Sequence, residues 1–160
     1  MEWEWTDKDE IALWLPMEFF NAREAWGDPF EMHPLLIFIM EKFRQKLPNG
    51  CWIKIHCGFK EKGHQPNSFH YVGRACDFHV IGCSFLEAER HLMKYLRTPV
   101  LLKDGQQDQL INFVGVGNYP EWNDPGFHLD IRGTRASWAR LNNKYVAYEL
   151  GLEKARELNL

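Results

Sequence analysis

A histidine and an aspartate stand seven positions apart across a glycine in Ser68-Phe69-His70-Tyr71-Val72-Gly73-Arg74-Ala75-Cys76-Asp77, and a second histidine follows in Gly126-Phe127-His128-Leu129-Asp130. Two neutral imidazoles and one carboxylate are a usual protein ligand set for a catalytic zinc, with the fourth position left for water. Gly73 allows the turn that brings a loop histidine and a strand aspartate to one point. The S-x-H-x-x-G-x-A-x-D pattern with a distant H-x-D is far more specific than a lone histidine. His70, Asp77 and His128 are therefore expected as metal ligands; the bland alternative is three scattered hydrogen-bonding residues. One carboxylate offsets part of a dication's charge and leaves the site cationic enough to acidify bound water, for zinc to a pKa of about 7. Zinc is the expected ion, although nickel, cobalt and iron accept the same donors.

At these residues the chain resembles the zinc D-alanyl-D-alanine peptidase family, carboxypeptidases and endopeptidases that cut bacterial cell-wall stem peptides. That family is related to the metal-binding domain of hedgehog proteins. The resemblance runs from roughly Pro34 to Trp138 and takes in Gly58-Phe59 and Gly115-Val116-Gly117-Asn118-Tyr119-Pro120. It implies zinc at His70, Asp77 and His128 and hydrolysis of an amide bond in a peptidoglycan stem peptide by metal-activated water. Members of the family place an acidic base three positions before the last histidine ligand, where this chain has Pro125. Asp124, one residue further out, becomes the expected catalytic base; Glu121, Asp130 and no base at all are the alternatives. Members also carry an arginine soon after the Gly-Phe step to hold the substrate. Lys60 stands there instead, keeping the charge without the planar two-pronged donor geometry. The Pro125 and Lys60 departures favour an alternative, a non-catalytic metal-binding or structural module of a phage or cell-wall assembly that kept the fold.

Lys60, Gln65 and Ser68 lie on the approach to His70 and are the candidate substrate-binding residues. Ser68 has no serine-triad context and is not read as a nucleophile. Asp130 shares strand parity with His128 and, in its bland reading, orients that ligand or a neighbouring strand. Tyr119 and Trp122 either stack on sugar or peptide or pack an irregular loop. His33, His56, His64, His79 and His91 lack partner spacing; His79, two past Asp77 on the same face, is a minor candidate. The four cysteines, Cys51, Cys57, Cys76 and Cys83, form no C-x-x-C pair. Cys51 and Cys57 read as buried thiols rather than a disulfide, and Cys76 points away from the face that Asp77 uses.

The elements that must position these residues follow from pattern. The first thirty residues read as a helical lead-in, with Thr6 and Asp9 as start signals, a break at Pro16 and an end at Gly27-Asp28-Pro29. Leu36, Ile39, Met40, Phe43 and Leu47 recur at helical spacing after Pro34, and Pro48-Asn49-Gly50 ends that run. Residues 51–57 alternate as a half-buried strand. Ser84-Phe85-Leu86-Glu87 is a capping box opening a helix to about Leu96. Strands are expected over 74–80, 111–116 and 127–131, and a C-terminal helix over about 141–158. The fold class is α+β, a small antiparallel sheet with flanking helices and the metal site at one end of the strands.

At 160 residues the chain suits one domain. A charge of -3 gives no reason to expect nucleic acid or an anionic membrane as partner, and no run reaches the ~18–20 apolar residues that cross a bilayer. The start, Met1-Glu2-Trp3-Glu4-Trp5, is acidic where an export signal is basic and then apolar. The expectation is a cytoplasmic protein until release, or delivery to the wall by another route, with the peptidoglycan stem peptide as partner.

Overall fold

The computed structural model describes Trp14 and residues 16–160. Three α-helices are defined among the described residues: α1 (Pro34–Lys46), α2 (Phe85–Leu96) and α3 (Tyr148–Glu157). Helix α1 starts where His33 accepts the Leu35 N–H through Nδ1 and Pro34 supplies the first helical residue. Helix α2 opens on the Ser84–Glu87 capping box, with both reciprocal bonds formed. Its amphipathic stripe and that of α1 meet over Phe43, which stacks on Tyr95 at 5.5 Å between ring centroids.

Among the described residues eight strands accompany the helices: β1 (Trp52–Cys57), β2 (Ala75–Ile81), β3 (Pro99–Leu101), β4 (Gln107–Gln109), β5 (Gly115–Tyr119), β6 (Gly126–Asp130), β7 (Ala136–Leu141) and β8 (Lys144–Val146). Six form one sheet in the order β1-β2-β6-β5-β7-β8, while β3 and β4 pair separately. The large sheet is mixed, because β7 runs parallel to β5. The expectation of a small antiparallel sheet is corrected on this point: β7 crosses to the far side of β5 instead of continuing the meander.

Alternation gives this sheet two unlike faces. Ile53, Ile55, Cys76, Phe78, Val80, Phe127, Leu129 and Val116 are buried against the helices, and Phe78 and Phe127 contact Phe43 and Phe85. Each fully buried side chain of this size contributes about 1.5–3 kcal/mol. The opposite face carries polar groups, and the site lies there, at the register Asp77↔His128, rather than simply at the strand ends.

Other expectations shift for local reasons. Over 16–33 the chain runs in turns and bends, not in a helical lead-in. The buried Glu41 carboxylate accepts the N–H groups of Glu18 and Phe19 at 2.7 and 3.1 Å, and Gly27 takes a φ of 81°. Thr6, Asp9 and the acidic start lie outside the described residues. The C-terminal helix begins at Tyr148 rather than near 141, because Asn142 and Asn143 both adopt positive φ and close the β7–β8 hairpin. The strand expected over 111–116 is a short 3-10 helix, Leu110–Phe113, followed by β5. No helix among the described residues is long and apolar enough to cross a membrane.

Candidate metal centre

His70 sits on a one-turn 3-10 helix, Phe69–Val72, just before β2. Ser68 starts this turn by accepting the His70 N–H through Oγ at 3.3 Å, and Gly73 ends it with a φ of 63°. A Cβ on Gly73 would stand 1.8 Å from the Glu31 carbonyl oxygen, so the turn and its packing both require glycine. Asp77 on β2 and His128 on β6 are directly paired in the antiparallel register.

The three side chains converge. His70 Nε2 is 3.3 Å from His128 Nδ1 and 3.4 Å from Asp77 Oδ1, and His128 Nδ1 is 2.9 Å from Asp77 Oδ1. A tetrahedral ion with bonds near 2.0–2.1 Å holds its donors about 3.3 Å apart. The triangle therefore has the size of one face of such a site. The remaining ring nitrogens are already committed: His70 Nδ1 donates to the Gly58 carbonyl at 2.6 Å, and His128 Nε2 donates to Asp130 Oδ2 at 2.9 Å. Those bonds fix the tautomers that turn His70 Nε2 and His128 Nδ1, as lone pairs, toward the shared point. The residues present fit a divalent metal.

Electrostatics agree with the geometry. Burial disfavours charge on His70, yet hydrogen bonds with Asp77 and Cys57 outweigh it and raise the pKa to about 9. His128 follows the same course, burial being outweighed by Asp130 and Asp77, again to about 9. Asp77 is pushed up by burial but held well below the usual carboxylate range by the two imidazoles. In the metal-free protein, protons thus occupy the lone pairs that a cation would take.

Asp130 is fully buried and holds Arg132 in a two-pronged pair, Nε to Oδ1 at 2.7 Å and Nη2 to Oδ2 at 2.5 Å. Its orienting role follows the strand parity, and it is not a free base. Gly115 and Gly117 on β5 leave room for this arrangement: a Cβ on Gly115 would meet Arg132 Nε at 2.5 Å, and one on Gly117 would meet Trp138 Nε1 at 2.7 Å.

A second set, Cys57, His64 and His70, has its donors within 4.8 Å of one another. Cys57 Sγ lies 3.7 Å from both His64 Nε2 and His70 Nδ1. Because His70 Nδ1 already donates to Gly58, this set lacks one lone pair and is the weaker choice.

The centre opens into a cleft of about 600 Å³. Gln65 and Ser68 line it, as do Tyr119, Trp122, Trp138, Arg140 and Tyr145. Tyr119 and Trp122 stack at 4.1 Å, and Trp138 Nε1 donates to the Tyr119 hydroxyl at 2.9 Å. Lys60 is exposed and is not among the residues lining the cleft; its charge reaches His64 instead. Glu121 is tied down, its Oε2 accepting the Asn142 N–H at 2.6 Å. Asp124 is exposed and gathers with His56 and His79, not with the triad.

Two cleft residues carry little sequence signal. His64 lies flat against His70, with ring centroids 4.1 Å apart and planes within 13°. The Tyr71 hydroxyl accepts the His64 N–H at 2.9 Å and donates to the His64 carbonyl at 2.7 Å, clamping that backbone. Arg140 has a buried Nε without a hydrogen-bond partner, beside Tyr145 at the far end of the cleft. The H-x5-H spacing of His64 and His70 was the one available hint for the former. Arg140 lies between the expected strand over 127–131 and the expected helix over about 141–158, where no pattern marks it.

The molecule is thus an α+β domain whose open sheet face carries a His-Asp-His group able to hold a metal ion. No family model, curated protein or solved structure matches the chain.

Proposed function

We propose that the protein is a zinc peptidase of the D-alanyl-D-alanine peptidase type, cutting an amide bond in a peptidoglycan stem peptide. The observation that carries this reading is the donor triangle of His70, Asp77 and His128, with tautomers fixed by Gly58 and Asp130, at the floor of an open cleft. When bound, zinc polarises the scissile carbonyl and activates a water nucleophile.

The chain's own residues do the rest. Asp77 in the triad and Asp130 against His128 and Arg132 are both engaged, so no free carboxylate lines the cleft among the described residues. The proton falls to His64. Burial lowers its pKa, which favours the neutral ring that a base requires. Nδ1, the nitrogen not directed at Cys57, takes the proton and returns it to the leaving amine. Arg140, which lines the cleft beside Tyr145, replaces Lys60 as the carboxylate grip. Gln65 and Ser68 face the peptide backbone, and the Tyr119–Trp122 stack with Trp138 forms an apolar wall.

The same lack of a cleft carboxylate favours a second reading, a metal-binding module of a phage or cell-wall assembly without turnover. Digestion of purified muropeptides with zinc-loaded protein, read by mass spectrometry for new amines, separates the two. Cleavage abolished by chelator, reduced about 10²-fold or more in His64→Gln, and with raised KM in Arg140→Ala, is the expected result. Intact muropeptides from pH 6 to 9 would establish the non-catalytic reading. Turnover lost in Asp124→Asn but kept in His64→Gln returns the base to Asp124.

A further inference from the structure

The open sheet face continues past Asp77 to a second group of metal-ligating side chains at the β1 edge. Strand β1 is irregular between Ile55 and Cys57, so that Ile55 pairs with Phe78 and Cys57 with Asp77 while His56 is the extra residue. Such a bulge re-aims a side chain, and here it turns His56 onto His79. The two rings stack with centroids 4.6 Å apart, and His56 Nε2 faces His79 Nδ1 at 2.5 Å. Asp124 arrives from the loop between β5 and β6, and one donor atom from each of the three lies within 4.8 Å of the others. That loop is held at Glu121 by Asn142 and at Trp122 by its stack on Tyr119, so Asp124 is delivered by an anchored segment.

His56 and Asp124 border a recess of about 340 Å³, which shares Asp77 and Trp122 with the main cleft, while His79 and Asp124 border an adjoining recess of about 330 Å³. We propose that His56, His79 and Asp124 form a second transition-metal site beside the first. Two imidazoles and one carboxylate select zinc, cobalt, nickel or copper over calcium and magnesium, which take oxygen donors. Three protein donors at a half-exposed recess leave at least one position open to solvent or to a ligand in the cleft. A proton between the facing nitrogens is one occupant of the gap and a cation the other. Donors on a bound ion stand about 3.3 Å apart, an opening of under ~1 Å for two half-buried side chains that can turn about χ1 and χ2.

Zinc stoichiometry of the full chain, by isothermal titration and elemental analysis, tests this without reference to turnover. Wild type is expected to bind two ions, and His56→Gln, His79→Gln and His70→Gln one each. The pair His56→Gln/His70→Gln binds none, and Asp124→Asn weakens the second site about tenfold or more. Glutamine keeps side-chain bulk, and unchanged circular dichroism certifies the fold; a variant that fails this check is replaced by the asparagine at the same position. A wild-type count of one, abolished by His70→Gln and kept by His56→Gln, overturns the second site and leaves the triad standing. A count of one with the opposite pattern upholds the second site and removes the triad. Equal affinity in wild type, His56→Gln and His79→Gln also overturns it.

Discussion

Replacing Asp130 by asparagine removes one charge and almost no volume, which isolates what the carboxylate does. Asp130 accepts three donors, His128 Nε2–H on Oδ2 and the Arg132 Nε and Nη2 groups on Oδ1 and Oδ2. An amide offers one acceptor oxygen and one donor NH2, so a donor must face a donor whichever way it is turned. With the NH2 at the Oδ2 position it confronts both Arg132 and the His128 Nε2–H. His128 relieves that clash only by moving its proton to Nδ1, the nitrogen aimed at the metal position. With the NH2 at Oδ1 the clash is with Arg132 Nε, and the histidine loses a charged partner for a neutral one. Loss of such an orienting partner costs 10–100-fold in metal affinity, or about 1.4–2.8 kcal/mol at 1.4 kcal/mol per decade. A buried polar group left unsatisfied costs about 1–3 kcal/mol of fold stability. Competition against a chromophoric zinc chelator reads the first quantity, and urea unfolding of metal-free protein reads the second. Zinc affinity within twofold of wild type would refute the assignment of Asp130 as the group that sets the His128 tautomer.

Gly151→Ala should lower the melting temperature although it adds a helix former. The gain in propensity is about 1 kcal/mol, but the new Cβ would fall 1.8 Å from Asn118 Oδ1 and 2.5 Å from Ala139 Cβ, an overpacking that costs about 1–3 kcal/mol. A melting temperature at or above wild type would show that α3 docks less closely than described. The pH response of metal-free protein follows from the two ligand histidines, both raised to about 9 in the folded state from about 6.5 when unfolded. A raised pKa stabilises fully below about 6.5 and is lost as pH climbs through 9, so thermal unfolding with chelator should show a falling melting temperature over that window. Zinc-loaded protein should diverge from it, since binding displaces those protons and strengthens as pH rises. A flat metal-free profile would contradict the proton-filled centre.

The triad was legible because its spacing places two ligands around one glycine turn and a third on a paired strand, and strand parity alone assigned Asp130 to the face of His128. Helices α1 and α2 were legible for a similar reason: Pro34, the Leu36-to-Leu47 stripe and the Ser84–Glu87 box are local signals. What escaped depended on contacts distant in sequence. Nothing in residues 16–33 announces that Glu41 will take their N–H groups. The Asn142–Asn143 turn lay inside the stretch expected as a C-terminal helix, and Arg140 just before it showed no pattern of its own, since its place in the cleft depends on the β7–β8 pairing. His56 was hidden by the bulge, since simple alternation predicts its face but not its meeting with His79. Asp124 was placed by proximity in sequence to His128, whereas the anchored loop carries it to the neighbouring recess.

The double bond of Tyr71 to both backbone groups of His64 has a thermodynamic consequence. It closes residues 64–71 into a short ring, so the wall that presents Gln65 and Ser68 loses its conformational freedom when the chain folds. Ordering a free segment costs about 1–2 kcal/mol per residue, a toll that a mobile wall would levy at each encounter with a ligand. Here that entropy has already been surrendered. Association then proceeds onto a standing surface, and differences in affinity among ligands are expressed in how fast they leave.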